Sequence, residues 1–137
     1  MIQADTKIRV RYAETDQMGY MYYGNYASYY EVGRTELMRN VGVTYSELEK
    51  MNIMMPVIEL AIKYRRAARY DDVVTVRTML KEMPEMRIRF DYELYNDSEE
   101  LLNTGHVTLF FIDATTRKPT KLPQEVYDSI KGYFGEV

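Results

Sequence analysis

What most limits the fold is an imbalance between one long helical stretch and the strand-like runs that follow it without a second long helix. From Gly24 to Asn40, Tyr26, Tyr30, Gly33, Leu37 and Val41 recur at steps of three or four on one face, with Ala27, Glu31, Arg34 and Met38 in a stripe beside it. At 1.5 Å per residue such a helix is roughly 25 Å long. Four runs with period-two alternation come next, at Pro56–Tyr64, Val73–Met83, Arg87–Tyr95 and Leu101–Asp113. Parallel strands need a crossover of about a dozen residues or more. The links Arg69–Asp72, Met83–Glu85 and Asn96–Ser98 are far shorter, so the strands are expected to be antiparallel. A fifth run, Lys7–Ala13, precedes the helix and sets Ile8, Val10 and Tyr12 on one face. A sheet with one apolar face needs a cover, and only the long helix is large enough. The expectation is an α+β chain, a five-stranded antiparallel sheet wrapped around one long central helix.

Smaller signals mark the remaining elements. Thr44 and Glu47 form a T-x-x-E capping box, with Val43 and Leu48 as a hydrophobic staple, opening a short helix that ends near Met51. Pro123 opens a terminal helix carrying Val126, Tyr127, Ile130 and Phe134.

Composition narrows the classes of function. The chain has 137 residues, which suits one domain over residues 1–137. Its net charge of −3 does not suit a nucleic-acid binder, which is normally basic. The chain has no cysteine, which rules out disulfides and thiolate chemistry; with no signal-like N-terminus, a cytoplasmic protein is expected. No apolar run approaches the roughly 20 residues needed to span a bilayer. A single histidine, His106, leaves no histidine-rich metal site within one chain and reads as structural. Neither a P-loop nor a G-x-G-x-x-G supports a nucleotide site. The 14 Tyr and 10 Met suit an ordinary core or subunit interface, and equally a cleft for a flexible apolar ligand.

The stretch Arg11–Thr35 holds the candidate chemistry. A strand end runs into the acidic loop Glu14-Thr15-Asp16, a turn at Gly19 follows, and the tyrosine-rich helix begins near Tyr23. Asp16 either caps that turn or acts on a carbonyl, as nucleophile or as the base that activates water. A helix start offers unpaired N–H groups and a positive dipole end, suited to an oxyanion. Glu31 and Arg34, three residues apart, form either a local ion pair or, if their stripe faces a site, a means of orienting water or ligand. Lys63, Arg65, Arg66 and Arg69 crowd four cations into seven residues, as a phosphate-binding cluster or as a solvated sheet edge.

These residues resemble a known family. Arg11-Tyr12-Ala13-Glu14-Thr15-Asp16, Gly19, Tyr22, Asn25-Tyr26 and Glu31 through Arg34-Thr35 are similar to the hotdog-fold acyl-CoA thioesterases of the 4-hydroxybenzoyl-CoA thioesterase type, closest to the branch with the Tol-Pal-associated enzymes. Tyr64-Arg65-Arg66-Ala67-Ala68-Arg69-Tyr70-Asp71-Asp72 and Arg117-Lys118-Pro119 to Leu122-Pro123 extend the likeness over nearly the whole chain. It implies the hotdog fold and hydrolysis of an acyl-CoA to free acid and CoA, with no cofactor beyond the CoA of the substrate. Asp16 would be nucleophile or general base, the Tyr23 N–H would serve the oxyanion hole, and Glu31 would assist. Gly19, Tyr22, Tyr26, Arg65, Arg66 and Arg69 would contact substrate, the arginines at the CoA phosphates. A homo-oligomer is implied, a dimer or a homotetramer built as a dimer of dimers, with the site at a subunit interface. Many members of the closest branch carry histidine where this chain has Tyr23; a backbone role survives that change and an imidazole role does not. A hotdog protein that binds acyl-CoA or an acyl carrier without turnover is the alternative, and it would have no need of the Asp16 carboxylate.

Overall fold

Strand alternation decides which way the sheet faces. In the computed structural model, which describes residues 1–135, the chain runs β1 (Ile2–Arg9), α1 (Tyr26–Asn40), α2 (Tyr45–Lys50), β2 (Ile53–Met54), β3 (Val57–Tyr64), β4 (Val73–Leu80), β5 (Arg87–Tyr95), β6 (Leu101–Phe110), β7 (Ile112–Asp113) and α3 (Gln124–Ile130). Five strands make one antiparallel sheet in the order β1-β4-β5-β6-β3, and β2 pairs with β7 beside it. Val74, Val76, Thr78 and Leu80 of β4 and Ile88, Phe90, Tyr92 and Leu94 of β5 are all buried, as their alternation predicts.

Helix α1 fills the concave face. Tyr26, Tyr30, Gly33 and Leu37 are buried, and the Tyr30 ring stacks on Tyr92 with centroids 4.0 Å apart. The Tyr30 hydroxyl donates to Asn103 Oδ1 at 2.6 Å, satisfying a phenol that would be costly to bury alone. Gly33 sets the approach of helix to sheet. A Cβ there would lie 2.3 Å from Thr78 Oγ1 and 2.7 Å from Val76 Cγ1, so only glycine lets α1 sit this close to β4.

Three expectations are corrected. The first strand is Ile2–Arg9 rather than Lys7–Ala13, paired with β4 from Ile2 opposite Leu80 to Arg9 opposite Val73. Tyr12 is therefore outside it, on a 3₁₀ turn (Tyr12–Glu14), and 77% exposed. The first turn of the central helix is a separate 3₁₀ turn, Tyr23–Asn25, before α1 proper. The capping box forms as expected: Thr44 Oγ1 accepts from the Glu47 N–H at 3.2 Å, and Val43 and Leu48 are buried beside it.

The two sheet edges differ. β3 is exposed along nearly its whole length, with Val57, Ile58, Leu60 and Tyr64 each between 43% and 49% exposed. Among the described residues, no helix is long and apolar enough to cross a membrane.

Candidate active site

Between β1 and α1 the chain folds into a narrow hairpin. Thr15 pairs with Met21, the Asp16 N–H donates to the Tyr20 carbonyl at 2.8 Å, and the Tyr22 N–H to the Glu14 carbonyl at 2.9 Å. Gly19 turns its tip at φ 82°, a left-handed conformation that a side chain would strain. Asp16 caps this turn: its Oδ1 accepts from the Met18 N–H at 2.8 Å and the Tyr20 N–H at 3.3 Å. Its Oδ2 accepts from nothing among the described residues, and the side chain is exposed.

Glu14 anchors the hairpin. It is the one buried carboxylate among the described residues, and its Oε1 accepts from the Arg11 N–H and the Tyr29 hydroxyl, both at 2.8 Å. Its carbonyl also accepts from Asn25 Nδ2 at 2.8 Å. One residue thus binds the hairpin to the first turns of the central helix. Burial, and then the Glu14 carboxylate that its proton serves, push the Tyr29 phenol well above its ordinary value. The sequence places Glu14 in the acidic loop and Asn25 in the family match but assigns neither a role, and it does not mark Tyr29 at all, because an acidic loop residue gives no sign of a partner fifteen positions on.

The helix start is open. The N–H groups of Tyr23 and Gly24 donate to nothing among the described residues. The hairpin register sets Asp16 opposite Tyr20, so Tyr23 is three residues further along, at most about 10 Å of extended chain. No hydrogen bond joins Asp16 to Tyr23 among the described residues; a substrate carbonyl would have to lie between them. Around this opening the rings of Tyr22 and Tyr23 are 4.7 Å apart, and those of Tyr23 and Tyr64 6.2 Å. The Tyr23 hydroxyl beside it raises the Tyr22 phenol above its ordinary value. Tyr26, expected at the substrate, is instead 1% exposed, its hydroxyl accepting from the Ala68 N–H at 3.0 Å. It fastens the helix to the arginine loop from within the core.

Arg65, Arg66 and Arg69 are all exposed on that loop. Arg69 touches the hairpin, its guanidinium 5.2 Å over the Tyr20 ring and the two residues paired as a β-bridge. Arg66 pairs with Glu100 at 3.2 Å, whereas Arg65 forms no ion pair among the described residues. A shallow groove of 490 Å³ lies between Tyr20, Arg66, Arg69, Asp72 and Glu100.

Glu31 is separated from this constellation. It is exposed, eight residues along from Tyr23, which is about 13 Å with the 3₁₀ turn at ~2.0 Å and α1 at 1.5 Å per residue. The ion pair with Arg34 does not form; Arg34 turns inward and is 6% exposed. His106 lies on the sheet's other face, its Nε2 2.8 Å from Glu59 Oε1, remote from the hairpin. Among the described residues, no three His, Asp or Glu side chains converge as a metal ion would require.

Comparison with known proteins identifies the family and the fold. The thioesterase-like superfamily model matches residues 10–130. YneP of Bacillus subtilis is 35% identical over 113 residues, covering 82% of each chain. The acyl-CoA thioesterase YbgC of Haemophilus influenzae is 32% identical over 120 residues, 87% of this chain and 88% of its own. The crystal structure of DHNA-CoA thioesterase from Staphylococcus aureus superposes with a TM-score of 0.87 at 34% identity, covering 100% of this chain and 98% of that one. The sheet, the central helix and these matches agree, and the chain belongs to the thioesterase-like superfamily of hotdog-fold enzymes.

Proposed function

We propose that this enzyme hydrolyses an acyl-CoA thioester to the free acid and CoA, with Asp16 as nucleophile or general base and the N–H of Tyr23 as oxyanion donor. The observation that carries the proposal is the pairing of a fixed carboxylate with an open helix start. Asp16 Oδ1 is held by two N–H groups while Oδ2 stays free, and the Tyr23 and Gly24 N–H groups have no acceptor among the described residues. A thioester carbonyl between them would have its oxygen at the helix N-terminus, where developing negative charge is stabilised. Its carbon would face Asp16, directly or through a water. Water is the only co-reactant, and no cofactor is called for.

Gly19 and Tyr22 would border the acyl-CoA. Arg65, Arg66 and Arg69 would meet the CoA phosphates, since guanidinium groups match phosphate oxygens in pairs. The thioesterase name of the YbgC relative supports the substrate class. Glu31 would act on the acyl side rather than at the carbonyl. A soluble CoA ester as substrate and a chain without cysteine fit the cytoplasm. Residues 1–137 would act as one domain, and as a homo-oligomer: an apolar, unpaired edge such as β3 is a template for pairing with another chain unless something covers it. A second copy is the cover we propose, with a dimer or a homotetramer as the product.

One observation favours the alternative of an acyl-CoA or acyl-carrier binder without turnover: Asp16 does cap its turn, so its presence has a structural reason. Asp16→Asn separates the two, because the amide keeps an oxygen for the Met18 N–H and loses the nucleophile. A free-thiol assay over a panel of acyl-CoAs should give hydrolysis by the wild type and loss of about 10³-fold or more in the variant, with the melting temperature and oligomeric state retained. Equal rates in both proteins would remove Asp16 from the mechanism; binding without turnover by the wild type would establish the binder.

A further inference from the structure

Arg34 carries a buried charge that no carboxylate answers. It is 6% exposed, forms no ion pair among the described residues, and its Nε is buried without a hydrogen-bond partner. Burial lowers its pKa, but the Tyr92 and Tyr45 oxygens facing it outweigh burial, and the net shift is upward. Neither hydroxyl reaches hydrogen-bonding geometry: Tyr45 Oη and Tyr92 Oη are themselves buried and unpartnered, as is Thr78 Oγ1, opposite Tyr92 in the β4–β5 register. Unpaired polar atoms gathered beneath one helix are expensive to keep dry. Such a cluster calls for an oxygen function brought in from outside.

A cavity of 350 Å³ opens onto the same guanidinium. Leu48, Ile53, Met55, Val57 and Leu109 give it apolar walls, Tyr45 lines it beside Arg34, and the exposed Glu31 and Glu49 stand at its rim. It lies farther along the same helix and the same edge strand as the candidate active site. Ala27 and Glu31 follow one another on one stripe of α1, which starts directly after the 3₁₀ turn that holds Tyr23. Strand β3 reaches both ends of this path, with Tyr64 against Tyr23 at one end and Val57 at the cavity at the other. The exposed Leu60 and Ile58 lie between.

We propose that this cavity receives the far end of the acyl group, and that Arg34 with the Tyr45 hydroxyl binds an oxygen function carried there. The preferred substrates are then acyl-CoAs whose acyl group bears a hydroxyl or carboxylate about 13 Å from the thioester carbonyl, the distance along the chain from Tyr23 to Glu31 at the cavity's rim. A hydroxyl would accept from Arg34 and could donate to the Glu31 or Glu49 rim; a carboxylate would supply the missing counter-charge but meet those two carboxylates. This inference rests on the thioesterase reading for the seating of the carbonyl.

The test compares three CoA esters of matched length: decanoyl, ω-hydroxydecanoyl and decanedioyl. The wild type should favour one or both oxygenated esters over decanoyl by about tenfold or more in kcat/KM. Which of the two leads tells hydroxyl from carboxylate recognition. Tyr45→Phe, which removes an unpartnered hydroxyl and keeps the ring, should shrink that ratio by about fivefold; Arg34→Met should erase it. Hydrolysis that favours decanoyl, or treats all three alike, would overturn the inference and leave the thioesterase reading standing. Calorimetric binding of the same esters to the wild type reads the preference without turnover. A preference there in a protein that hydrolyses none of the esters would uphold the cavity and refute the hydrolysis; equal binding would refute the cavity.

Discussion

Removing the Glu14 carboxylate should unfasten the hairpin from the helix, and the structure sets the size of the effect. The side chain is only 10% exposed, and its Oε1 accepts from the Arg11 N–H and from Tyr29 Oη, both at 2.8 Å. Glu14→Ala deletes both bonds and leaves the Tyr29 hydroxyl, on a residue 2% exposed, without its partner. The ion pair to Arg11 at 3.6 Å adds little, since that arginine side chain is 76% exposed. Loss of bonds to a charged acceptor, together with an orphaned buried phenol, costs about 3 kcal/mol. Unfolding entropy of about 2.1 cal/mol/K per residue gives roughly 0.3 kcal/mol/K for a chain of this length, so Tm should fall by about 10 °C. Glu14→Gln keeps an oxygen for both donors and should lose only about 1 kcal/mol, or roughly 3 °C. Tyr29→Phe should cost a similar amount, and because it removes half of the same contact, its effect should not add fully to that of Glu14→Ala. Thermal melts of the two single variants and the double variant measure this directly. In the thiol-release assay Glu14→Ala should also lose about 10²-fold, the cost of reacting groups held an ångström out of place. A Glu14→Ala melt within about 2 °C of wild type, or full additivity with Tyr29→Phe, would refute the anchoring role.

Two further outcomes follow from the core. Gly33→Ala gains about 1 kcal/mol of helix propensity but drives a methyl into Thr78 and Val76, both fixed on β4, so a net loss of about 2 kcal/mol is expected; an unchanged or higher Tm would contradict the close approach. Tyr29, Tyr30 and Tyr92 have phenols raised above 10.0, in each case first by burial. Below pH 10 both folded and unfolded chains carry them neutral and their contribution is complete; above it the unfolded chain ionises first, and stability drains away as pH climbs toward the folded values. Tm should therefore fall steeply from about pH 10 upward, with these three forming phenolate only as the chain opens. Titration of all 14 tyrosines in one phase without loss of structure would count against it.

The parts of the fold that were legible are those where burial repeats at a fixed period. β5 reads cleanly because Ile88, Phe90, Tyr92 and Leu94 are each within about a tenth of a side chain of full burial and alternate with Arg87, Arg89, Asp91 and Glu93. The start of β1 is hidden in the sequence because its inward residues after Ile2 are the small Ala4 and Thr6, which give a weak alternation; pairing with β4 rather than its own hydrophobicity defines it. β2 and β7 are two residues each, too short for any period. Glu31 and Arg34 have the spacing of an ion pair, but Arg34 turns into the interior beside Tyr92, a neighbour supplied by a strand more than fifty residues away. Local spacing cannot anticipate such a partner.

The same limit applies to Asp16, where the geometry removes an opposition that spacing imposes. From the sequence, capping the turn and acting on a carbonyl stand as competing roles for one carboxylate. In the structure Oδ1 alone meets the Met18 and Tyr20 N–H groups, so the cap uses one oxygen and fixes the direction of the other. A surface aspartate without that cap would rotate freely and lose part of any advantage from orientation, which depends on reacting atoms held close and aligned. Capping is then a condition of the proposed chemistry. Glu14 extends the same logic one step outward: its carboxylate holds Tyr29 of the helix while its carbonyl holds Tyr22 and Asn25 beside the open N–H of Tyr23. Two acidic residues two positions apart in the chain thus divide the work. The buried one fixes the hairpin against the helix, and the exposed one keeps a free oxygen for the proposed chemistry.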